Sequence, residues 1–354
     1  MIATGGTGGH IYPATALAEI LKKKYPETEI VFFGSSNRME AELIPSLGYR
    51  FHGMPMTGMN GGVRAKMKSV LSMVRGERAC RKLLAQEKPD ICVGFGNYIS
   101  VPLILAARRM HIPTMIHEQN SYAGKANAML GRYTDAIVGC YETSLKQFPA
   151  GKTRLYGNPE ATLAYEKQAD PSLKEKYGLD PQKPFAVFMM GSLGSSSVSR
   201  IIDEACALFD DYQVLIAAGK SNDYEFRNAG KENIHLVPYV DGVQMLKQAD
   251  AAVVRAGATT MCEISAIGVP CILIPSPYVP NNHQVMNALE LVNRGAAVMI
   301  EEKDLNAQSL SKALNELMAD HGKREKLAAQ AKLLGKTDAA YRMIEWMEEL
   351  CGNG

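Results

Sequence analysis

The sequence predicts an α/β protein made of two domains, each with a doubly wound parallel sheet. Short apolar runs alternate with longer segments of helical period along most of the chain, as expected for parallel strands that helices cover on both faces. The pattern restarts after a polar stretch at residues 166–182. A chain of 354 residues is also long enough for two domains of ordinary size.

The elements follow from this pattern in order. In the first half we predict a short strand at residues 1–3, further strands at 29–34, 49–54, 91–94, 113–117 and 136–139, and helices at 13–24, 65–86 and 101–110. In the second half we predict strands at 185–190, 213–218, 234–237, 251–254, 271–275 and 296–300. The predicted domains are residues 1–157 and 158–336, and a C-terminal helix, about 337–354, is expected to pack back on the first domain.

Composition excludes several classes of protein. The formal net charge is only +2, so no nucleic-acid partner is expected. The seven cysteines are scattered and never spaced as C-x-x-C, which favours a reducing compartment over a disulfide framework or a zinc site. The N-terminus does not read as a signal peptide, and no apolar run approaches the ~20 residues that span a bilayer. We therefore expect a cytosolic protein that can lie against a membrane.

Each half has a glycine-rich loop between a strand and a helix, at residues 5–10 and 191–195. Backbone N–H groups in such a loop, with a helix N-terminus behind them, suit phosphate oxygens. Taken alone, either loop is equally well explained as a tight turn. A dinucleotide site is disfavoured because Ile11 stands at the third glycine position of G-x-G-x-x-G, and there is no P-loop motif.

Four segments together go beyond fold. They are 5–13 (Gly-Gly-Thr-Gly-Gly-His-Ile-Tyr-Pro), 117–120 (His-Glu-Gln-Asn), 191–194 (Gly-Ser-Leu-Gly) and 255–288. In this order they resemble the MurG family of GT-B glycosyltransferases, family 28. The resemblance implies two Rossmann-like domains facing a deep cleft and inverting transfer of N-acetylglucosamine from UDP-N-acetylglucosamine. The acceptor would be the C4 hydroxyl of N-acetylmuramic acid in undecaprenyl-pyrophosphoryl-N-acetylmuramyl-pentapeptide, which converts lipid I to lipid II in peptidoglycan synthesis.

The resemblance places the donor on the C-terminal domain. Glu263 lies three and four residues after Thr260 and Thr259, on one side of a helix, where its carboxylate would accept both ribose hydroxyls. The amides of Gln284 and Asn287 would contact the sugar. The other interpretation of Glu263 is a solvated helix residue. The full predicted donor set is Thr7, Gly8, Gly9, Asn120, Ser192, Val240, Ala258, Thr259, Glu263, Gln284 and Asn287.

His10 is the predicted general base, since an imidazole suits proton removal from a sugar hydroxyl near neutral pH. It follows the first glycine loop and precedes Pro13, which is read as the helix start. Asn120, Glu118 and Tyr98 would position His10 or the acceptor. The acceptor diphosphate is expected at Gly6, Thr7, Gly8, Gly9 and Gly96. No metal is predicted, because helix dipoles and loop amides can stabilise the leaving UDP and no D-x-D pair adjoins these loops.

Residues 63–84 carry seven basic residues and one acid, Glu77, with apolar residues interleaved at helical spacing. This pattern predicts peripheral binding to an anionic membrane surface, and an ordinary helix packed on the sheet explains it equally well. The predicted membrane face is Arg64, Lys66, Met67, Lys68, Val70, Leu71, Val74 and Arg75. The resemblance adds a location on the cytoplasmic side of the bacterial cell membrane and partners in the cell-wall and division machinery.

The sequence also departs from the family pattern. Glu160-Ala161-Thr162 follows Gly157-Asn158-Pro159, where family members commonly have an arginine, so Arg154 or Lys125 would have to replace that cation. Leu193 and Asn97 stand where the family usually has a polar amide and a glycine. Three alternatives stay open: another GT-B UDP-sugar transferase with a different lipid acceptor, a UDP-N-acetylglucosamine 2-epimerase, and a UDP-N-acetylglucosamine-binding protein with reduced catalysis.

Overall fold

The computed structural model describes residues 1–56, 63–191, 196–219 and 223–352, without the side chains of residues 63–74 and 280. It divides into two compact units. The first comprises Met1–Leu163 and Asp338–Gly354, and the second comprises Ala164–Thr337. The chain passes between units after Leu163, slightly beyond the boundary that the sequence predicted at residues 157 and 158.

The sheet of the first unit has seven parallel strands in the order β3-β2-β1-β4-β5-β6-β7. Apolar side chains fill both of its faces, as the continuous apolar runs predicted. The edge strand β7 was not predicted, because its sequence Thr-Arg-Leu has no apolar run. The strands are β1 (Ile2–Ala3), β2 (Val31–Ser35), β3 (Arg50–Met54), β4 (Cys92–Gly94), β5 (Thr114–Glu118), β6 (Ala136–Gly139) and β7 (Thr153–Leu155).

The sheet of the second unit has six parallel strands in the order β10-β9-β8-β11-β12-β13. Two clusters of buried apolar residues cover its faces. The predicted α/β class with two doubly wound parallel sheets is therefore confirmed. The strands are β8 (Phe185–Met189), β9 (Gln213–Ala217), β10 (Ile234–Val237), β11 (Ala251–Val254), β12 (Cys271–Leu273) and β13 (Val298–Met299).

Helices connect the strands. In chain order they are α1 (Gly8–Lys24), α2 (Glu40–Ser46), α3 (Val63–Glu87), α4 (Asn97–Arg109), α5 (Lys125–Leu130), α6 (Glu142–Leu145), α7 (Pro159–Glu166), α8 (Ser172–Lys176), α9 (Ser196–Cys206), α10 (Gly242–Leu246), α11 (Ala258–Ile267), α12 (His283–Val292), α13 (Ala307–Ala319), α14 (His321–Leu334) and α15 (Ala339–Gly352). The last helix, α15, packs against α1 and adds Met343, Ile344 and Trp346 to the core of the first unit. Among the described residues, no helix is both long and apolar enough to cross a bilayer.

Helices α1 and α4 begin earlier than the sequence predicted. Each was expected to start near a proline, but α1 begins at Gly8 and α4 at Asn97, so Pro13 and Pro102 both stand at the sixth helical position. Proline lacks the N–H that would bond four residues back. In α1 the first turn is closed without it, because the N–H groups of His10 and Ile11 both donate to the Thr7 carbonyl. His10 therefore lies inside the first helical turn.

The strand order reverses direction between β1 and β4 in the first sheet and between β8 and β11 in the second. In open α/β sheets, ligands bind beyond the carboxyl ends of the strands at this switch point. The glycine loop after β1, the Phe95–Gly96 turn after β4 and the residues after β5 meet there in the first unit. The corresponding loops of the second unit follow β8 and β11.

Candidate active site

The glycine loop after β1 is held from behind by Glu40 of α2. Gly5 and Gly6 have φ values of 150° and 91°, which suit glycine. The Glu40 side chain is fully buried, and its carboxylate accepts from the Gly6 N–H at 3.0 Å and from the Ser35 N–H at 2.9 Å. The predicted role of Gly6 as a phosphate donor is therefore corrected: its amide is already bonded to a carboxylate. Thr7 is the N-cap of α1, and Gly8 and Gly9 begin its first turn.

His10 is half-buried and is bonded to the next loop along the sheet edge. Its Nδ1 lies 2.8 Å from the Phe95 carbonyl oxygen and 3.0 Å from Nε2 of Gln119. Gly96 has a φ of 85°, and a Cβ at this position would lie 3.2 Å from His10 Nδ1. A glycine at residue 96 thus lets the β4 loop approach the imidazole.

Asn97, where the resemblance led us to expect a glycine, begins α4. It adopts a left-handed conformation with a φ of 61°, which asparagine tolerates better than most residues. Its Nδ2 donates to the Gly5 carbonyl at 3.2 Å, and its Oδ1 accepts from the Tyr98 N–H at 2.7 Å. Asn97 consequently ties the β1 loop to the start of α4.

Glu118 braces the loop that follows β5. It is 2% exposed, and its carboxylate accepts from the backbone N–H groups of Asn120 at 3.1 Å and Gly124 at 3.0 Å, and from Asn127 Nδ2 at 2.9 Å. Burial raises the pKa of this carboxyl group, although these hydrogen bonds oppose the shift. Glu118 therefore positions Asn120. The expectation that Glu118 positions His10 or the acceptor stays a prediction.

Tyr98 follows Asn97 in the sequence, and His117 precedes Glu118. The Tyr98 hydroxyl oxygen is buried and has no hydrogen-bond partner in the described part of the chain. His117 is fully buried, and its Nε2 lies 3.0 Å from the Gly157 carbonyl oxygen, which links β5 to the Gly157-Asn158-Pro159 segment. Burial lowers the pKa of His117 to about 4, so this imidazole is neutral.

In the second unit the predicted nucleotide site is at the N-terminus of α11. Gly257 is the N-cap, and Ala258, Thr259 and Glu263 are all half-buried. Thr259 and Glu263 are one helical turn apart on the same side, as the sequence predicted. The glycine loop after β8 begins at Gly191, with a φ of 93°. Ser192 and Leu193 lie outside the described residues.

The two predicted amides of α12 have different surroundings. Gln284 is half-buried, and its Oε1 accepts from the Ser276 N–H at 2.8 Å. Asn287 is fully buried, and its Nδ2 donates to the Ala256 carbonyl at 3.3 Å. The expectation that both amides point at a sugar is corrected for Asn287, which holds the loop between β11 and α11.

Val240 is 3% exposed and packs in the core, so only its backbone could recognise a base. Neighbouring Tyr239 is 59% exposed. Arg255, which the sequence reading did not single out, bonds Glu302 at 2.8 Å and the Ile274 carbonyl at 3.1 Å. The Glu302 carboxylate therefore balances the charge of Arg255, which lies beside the start of α11.

Arg154, expected as one replacement for a cation after Gly157-Asn158-Pro159, contacts other side chains. Its guanidinium carbon lies 4.2 Å from the ring centroid of Trp346, and its Nη1 bonds Tyr156 at 2.8 Å and Glu349 at 3.2 Å. The Arg154 side chain thus packs against α15. Lys125 is exposed at the start of α5.

For most of the predicted membrane face the structure does not describe the side chains. The positions concerned are Arg64, Lys66, Met67, Lys68, Val70, Leu71 and Val74. Arg75 is exposed. Glu77 is buried and pairs with Arg109 of α4 at 2.9 Å and with Arg81 at 3.3 Å. The end of α3 therefore packs on α4 as an ordinary helix.

Sequence reasoning missed Glu40, Gln119 and Asn127 as positioning side chains. Gln119 lies within the motif at residues 117–120, in which roles were predicted only for Glu118 and Asn120. Nothing near Glu40 in the sequence indicated that its carboxylate would cap a loop 34 residues earlier in the chain.

The comparisons with known proteins cover nearly the whole chain. Residues 1–138 match the glycosyltransferase family 28 N-terminal domain, and residues 185–343 match the family 28 C-terminal domain. The chain is 38% identical over 353 residues to the UDP-N-acetylglucosamine--N-acetylmuramyl-(pentapeptide) pyrophosphoryl-undecaprenol N-acetylglucosamine transferase of Limosilactobacillus fermentum, covering 97% of this chain and 96% of that protein. The protein of the same name from Leuconostoc citreum is also 38% identical, covering 100% and 98%.

Solved structures agree in fold. The crystal structure of Acinetobacter baumannii MurG matches with a TM-score of 0.78 and 24% identity over 99% of both chains. A putative UDP-N-acetylglucosamine 2-epimerase from Listeria monocytogenes matches with a TM-score of 0.70 and 15% identity over 98% and 95%. Because both domains match in order and the relatives are similar over almost their full length, the chain belongs to glycosyltransferase family 28.

Proposed function

We propose that this chain transfers N-acetylglucosamine from UDP-N-acetylglucosamine to undecaprenyl-pyrophosphoryl-N-acetylmuramyl-pentapeptide, which converts lipid I to lipid II. The observation that carries the proposal is 38% identity, over 97% of the chain, to a relative named for this transfer. The C4 hydroxyl of the muramyl sugar attacks C1 of N-acetylglucosamine. The bond from C1 to the UDP oxygen breaks, its electrons leave with UDP, and the configuration at C1 inverts.

On the first unit, His10 accepts the proton of the C4 hydroxyl. Its place in the first turn of α1, at the switch point of the sheet, supports this role. The acceptor diphosphate would bind at the segments that follow β1 and β4, at Thr7, Gly8, Gly9 and Gly96. The Glu118 carboxylate fixes Asn120 beside them, and Tyr98 supplies a hydroxyl group.

On the second unit, the donor diphosphate lies at the N-terminus of α11, and Glu263 accepts the ribose hydroxyls. The half-buried position of Ala258, Thr259 and Glu263 supports this site. Gln284 donates an amide N–H to the sugar, and its oxygen accepts from the Ser276 N–H. Asn287 acts indirectly through the Ala256 carbonyl, and Ser192 and the Val240 backbone complete the proposed set.

Transfer proceeds without a metal ion in this proposal. Negative charge that develops on UDP is stabilised by the dipole of α11 and by backbone N–H groups. Millimolar EDTA should leave the rate nearly unchanged. Loss of activity that Mg²⁺ restores would contradict the proposal.

The protein works on the cytoplasmic side of the cell membrane, bound peripherally to anionic lipid, and cell-wall and division proteins are candidate partners. The basic residues at the start of α3 support lipid binding. Lys66→Glu, Lys68→Glu and Arg75→Glu together should weaken co-sedimentation with anionic vesicles. The matched control reverses three exposed lysines of the second unit, Lys176, Lys183 and Lys303. Equal sedimentation of the two triple variants would contradict lipid binding by α3.

One assay tests the reaction itself. The purified protein is incubated with radiolabelled UDP-N-acetylglucosamine and a short-chain analogue of the lipid acceptor. Label in the lipid-soluble product supports the proposal, and its loss in His10→Asn supports the base. Release of a free epimer, or donor binding without turnover, would overturn it.

A further inference from the structure

A buried amide of α10 holds the segment by which the chain enters the second unit. The chain passes into this unit after Leu163, and we call residues 164–170 the crossover segment. The Gln244 side chain is 5% exposed. Its Oε1 accepts from the Asp170 N–H at 2.8 Å, and its Nε2 donates to the Gln168 carbonyl at 2.8 Å. Because one partner is a donor and the other an acceptor, both ends of this amide are satisfied by the backbone of the crossover segment.

The first turn of α10 is held by further polar contacts. Asp241 is its N-cap, and Oδ1 of Asp241 accepts from the Gln244 N–H at 3.2 Å. Its Oδ2 lies 2.7 Å from Nζ of Lys167 in the crossover segment. The backbone N–H of Asp241 donates to the Tyr177 hydroxyl oxygen at 3.2 Å. Both the side chain and the backbone of Asp241 are therefore fixed.

These contacts set the direction of the peptide group between Val240 and Asp241. A trans peptide is planar, so its carbonyl points away from its N–H. When Tyr177 holds the Asp241 N–H, it therefore also sets the direction of the Val240 carbonyl. The Val240 side chain packs in the core, whereas Tyr239 is 59% exposed. The backbone is thus oriented at the point where the chain reaches the surface.

We propose that Gln244 and Tyr177 are positioning residues that, through Asp241, hold the Tyr239–Val240 backbone so that the donor site prefers uracil to cytosine. The inference rests on the proposed function, in which the Val240 backbone recognises the base. Uracil presents an N3–H donor beside a carbonyl oxygen, whereas cytosine presents an N3 acceptor beside an amino group. Backbone groups of fixed direction match one of these edges and are left unpaired against the other.

Calorimetric titration of the full chain with UDP and with CDP tests the proposal. Wild-type protein should prefer UDP. Gln244→Met keeps the length of the side chain without its amide, so the backbone at residues 239–240 is held less firmly. The ratio of the CDP Kd to the UDP Kd should therefore fall, on the order of fivefold.

Gln213→Met is the matched control. Gln213 is also 5% exposed, and its amide also accepts from a backbone N–H and donates to a backbone carbonyl, both of Asp180. It begins β9, at the end of the strand opposite to the one beyond which ligands bind. Gln213→Met should therefore lower the stability in urea about as much as Gln244→Met, but it should keep the preference for UDP. A merely structural role of Gln244 would give two variants with the same Kd ratio.

Tyr177→Phe gives a second test and decides alone if Gln244→Met does not fold. It removes only the hydroxyl that accepts from Asp241, and the Kd ratio should again fall. Tyr212→Phe, which removes a hydroxyl bonded to Asn315 in the same unit, should keep the ratio. A wild-type ratio in Gln244→Met and Tyr177→Phe, or an equal fall in the two controls, would overturn the proposal. Equal binding of UDP and CDP by wild-type protein would instead contradict the proposed donor site, and with it the inference.

Discussion

Buried side chains behind the glycine loop hold the residues at its surface in place. Glu40 accepts from the backbone N–H of Gly6 in the glycine loop and from that of Ser35 at the end of β2. Glu118 does the same for the loop after β5. Charge-assisted hydrogen bonds of this kind are stronger than neutral ones, and losing the acceptor leaves buried donors unsatisfied. The geometry of these two loops therefore depends on buried carboxylates.

Glu40→Ala should lower the free energy of unfolding by about 2–4 kcal/mol, because two buried N–H groups lose their acceptor. The same change should reduce transfer activity, since the loop that carries Thr7 and Gly8 loses its support. Glu42→Ala, on the exposed face of the same helix, is the control and should stay within about 0.5 kcal/mol of wild type. Urea unfolding measures the free energy of unfolding of both variants. Equal stabilities would contradict the assigned role.

His117 makes stability depend on pH. Its pKa is about 4 in the folded protein and 6.5 in the unfolded chain, so the unfolded state binds more protons between these values. The stabilisation is complete above pH 6.5 and is lost as the pH falls toward 4, by about 1.4 kcal/mol per pH unit from this residue. His117→Gln should flatten the pH dependence of unfolding in that window. His321→Gln, at an exposed histidine, should leave it unchanged. An unaltered slope in His117→Gln would contradict the buried neutral imidazole.

At the scale of elements, the sequence located most strands within a few residues, because parallel strands buried on both faces appear as continuous apolar runs. Helix starts were harder to predict. Proline normally marks the first helical turn. However, α1 begins in the glycine loop, five residues before Pro13, and α4 begins after the Phe95–Gly96 turn, five residues before Pro102. The backbone bonds that close the first turn of α1 come from His10 and Ile11, and residue type alone does not reveal them.

The sequence predicted the position of the candidate site, but it did not predict the hydrogen-bond partners of its residues. Motifs identified which residues gather at the switch points, such as His10 and Glu263, since loop position follows from strand order. They did not reveal the partner of each side chain. Gly6 was expected to bind phosphate and instead bonds Glu40, and Asn287 was expected at a sugar and instead bonds Ala256. These partners come from distant parts of the chain and depend on packing.

The bond from Asn287 links α12 to the N-terminus of α11. Asn287→Leu should leave the Ala256 carbonyl without this donor and lower the unfolding free energy by about 1–3 kcal/mol. Because Ala256 immediately precedes the α11 N-cap, UDP binding should also weaken, on the order of tenfold. Asn293→Leu, at the exposed end of α12, is the control. Calorimetric titration with UDP measures the effect, and an equal Kd in the two variants would contradict the link.

At the scale of the whole molecule, the first unit is completed by the last helix of the chain. The chain leaves this unit after Leu163 and returns at Asp338. Helix α15 then packs on α1, and Arg154 of the sheet edge stacks on Trp346 of α15. The second unit is continuous in sequence and has its own apolar clusters. The two units should therefore respond differently to changes at the C-terminus.

Deleting residues 338–354 should destabilise the first unit selectively. The deletion exposes the apolar surface that Met343, Ile344 and Trp346 cover, and burial of each such side chain contributes about 1.5–3 kcal/mol. Differential scanning calorimetry should show one transition at a lower temperature and a second transition near its wild-type position. Under the proposed function, UDP should still raise the second transition, because its site lies on the second unit. Trp346→Ala is the milder matched variant and should lower only the first transition. If both transitions fall equally, the second unit depends on α15, and the division of stability between the units is wrong.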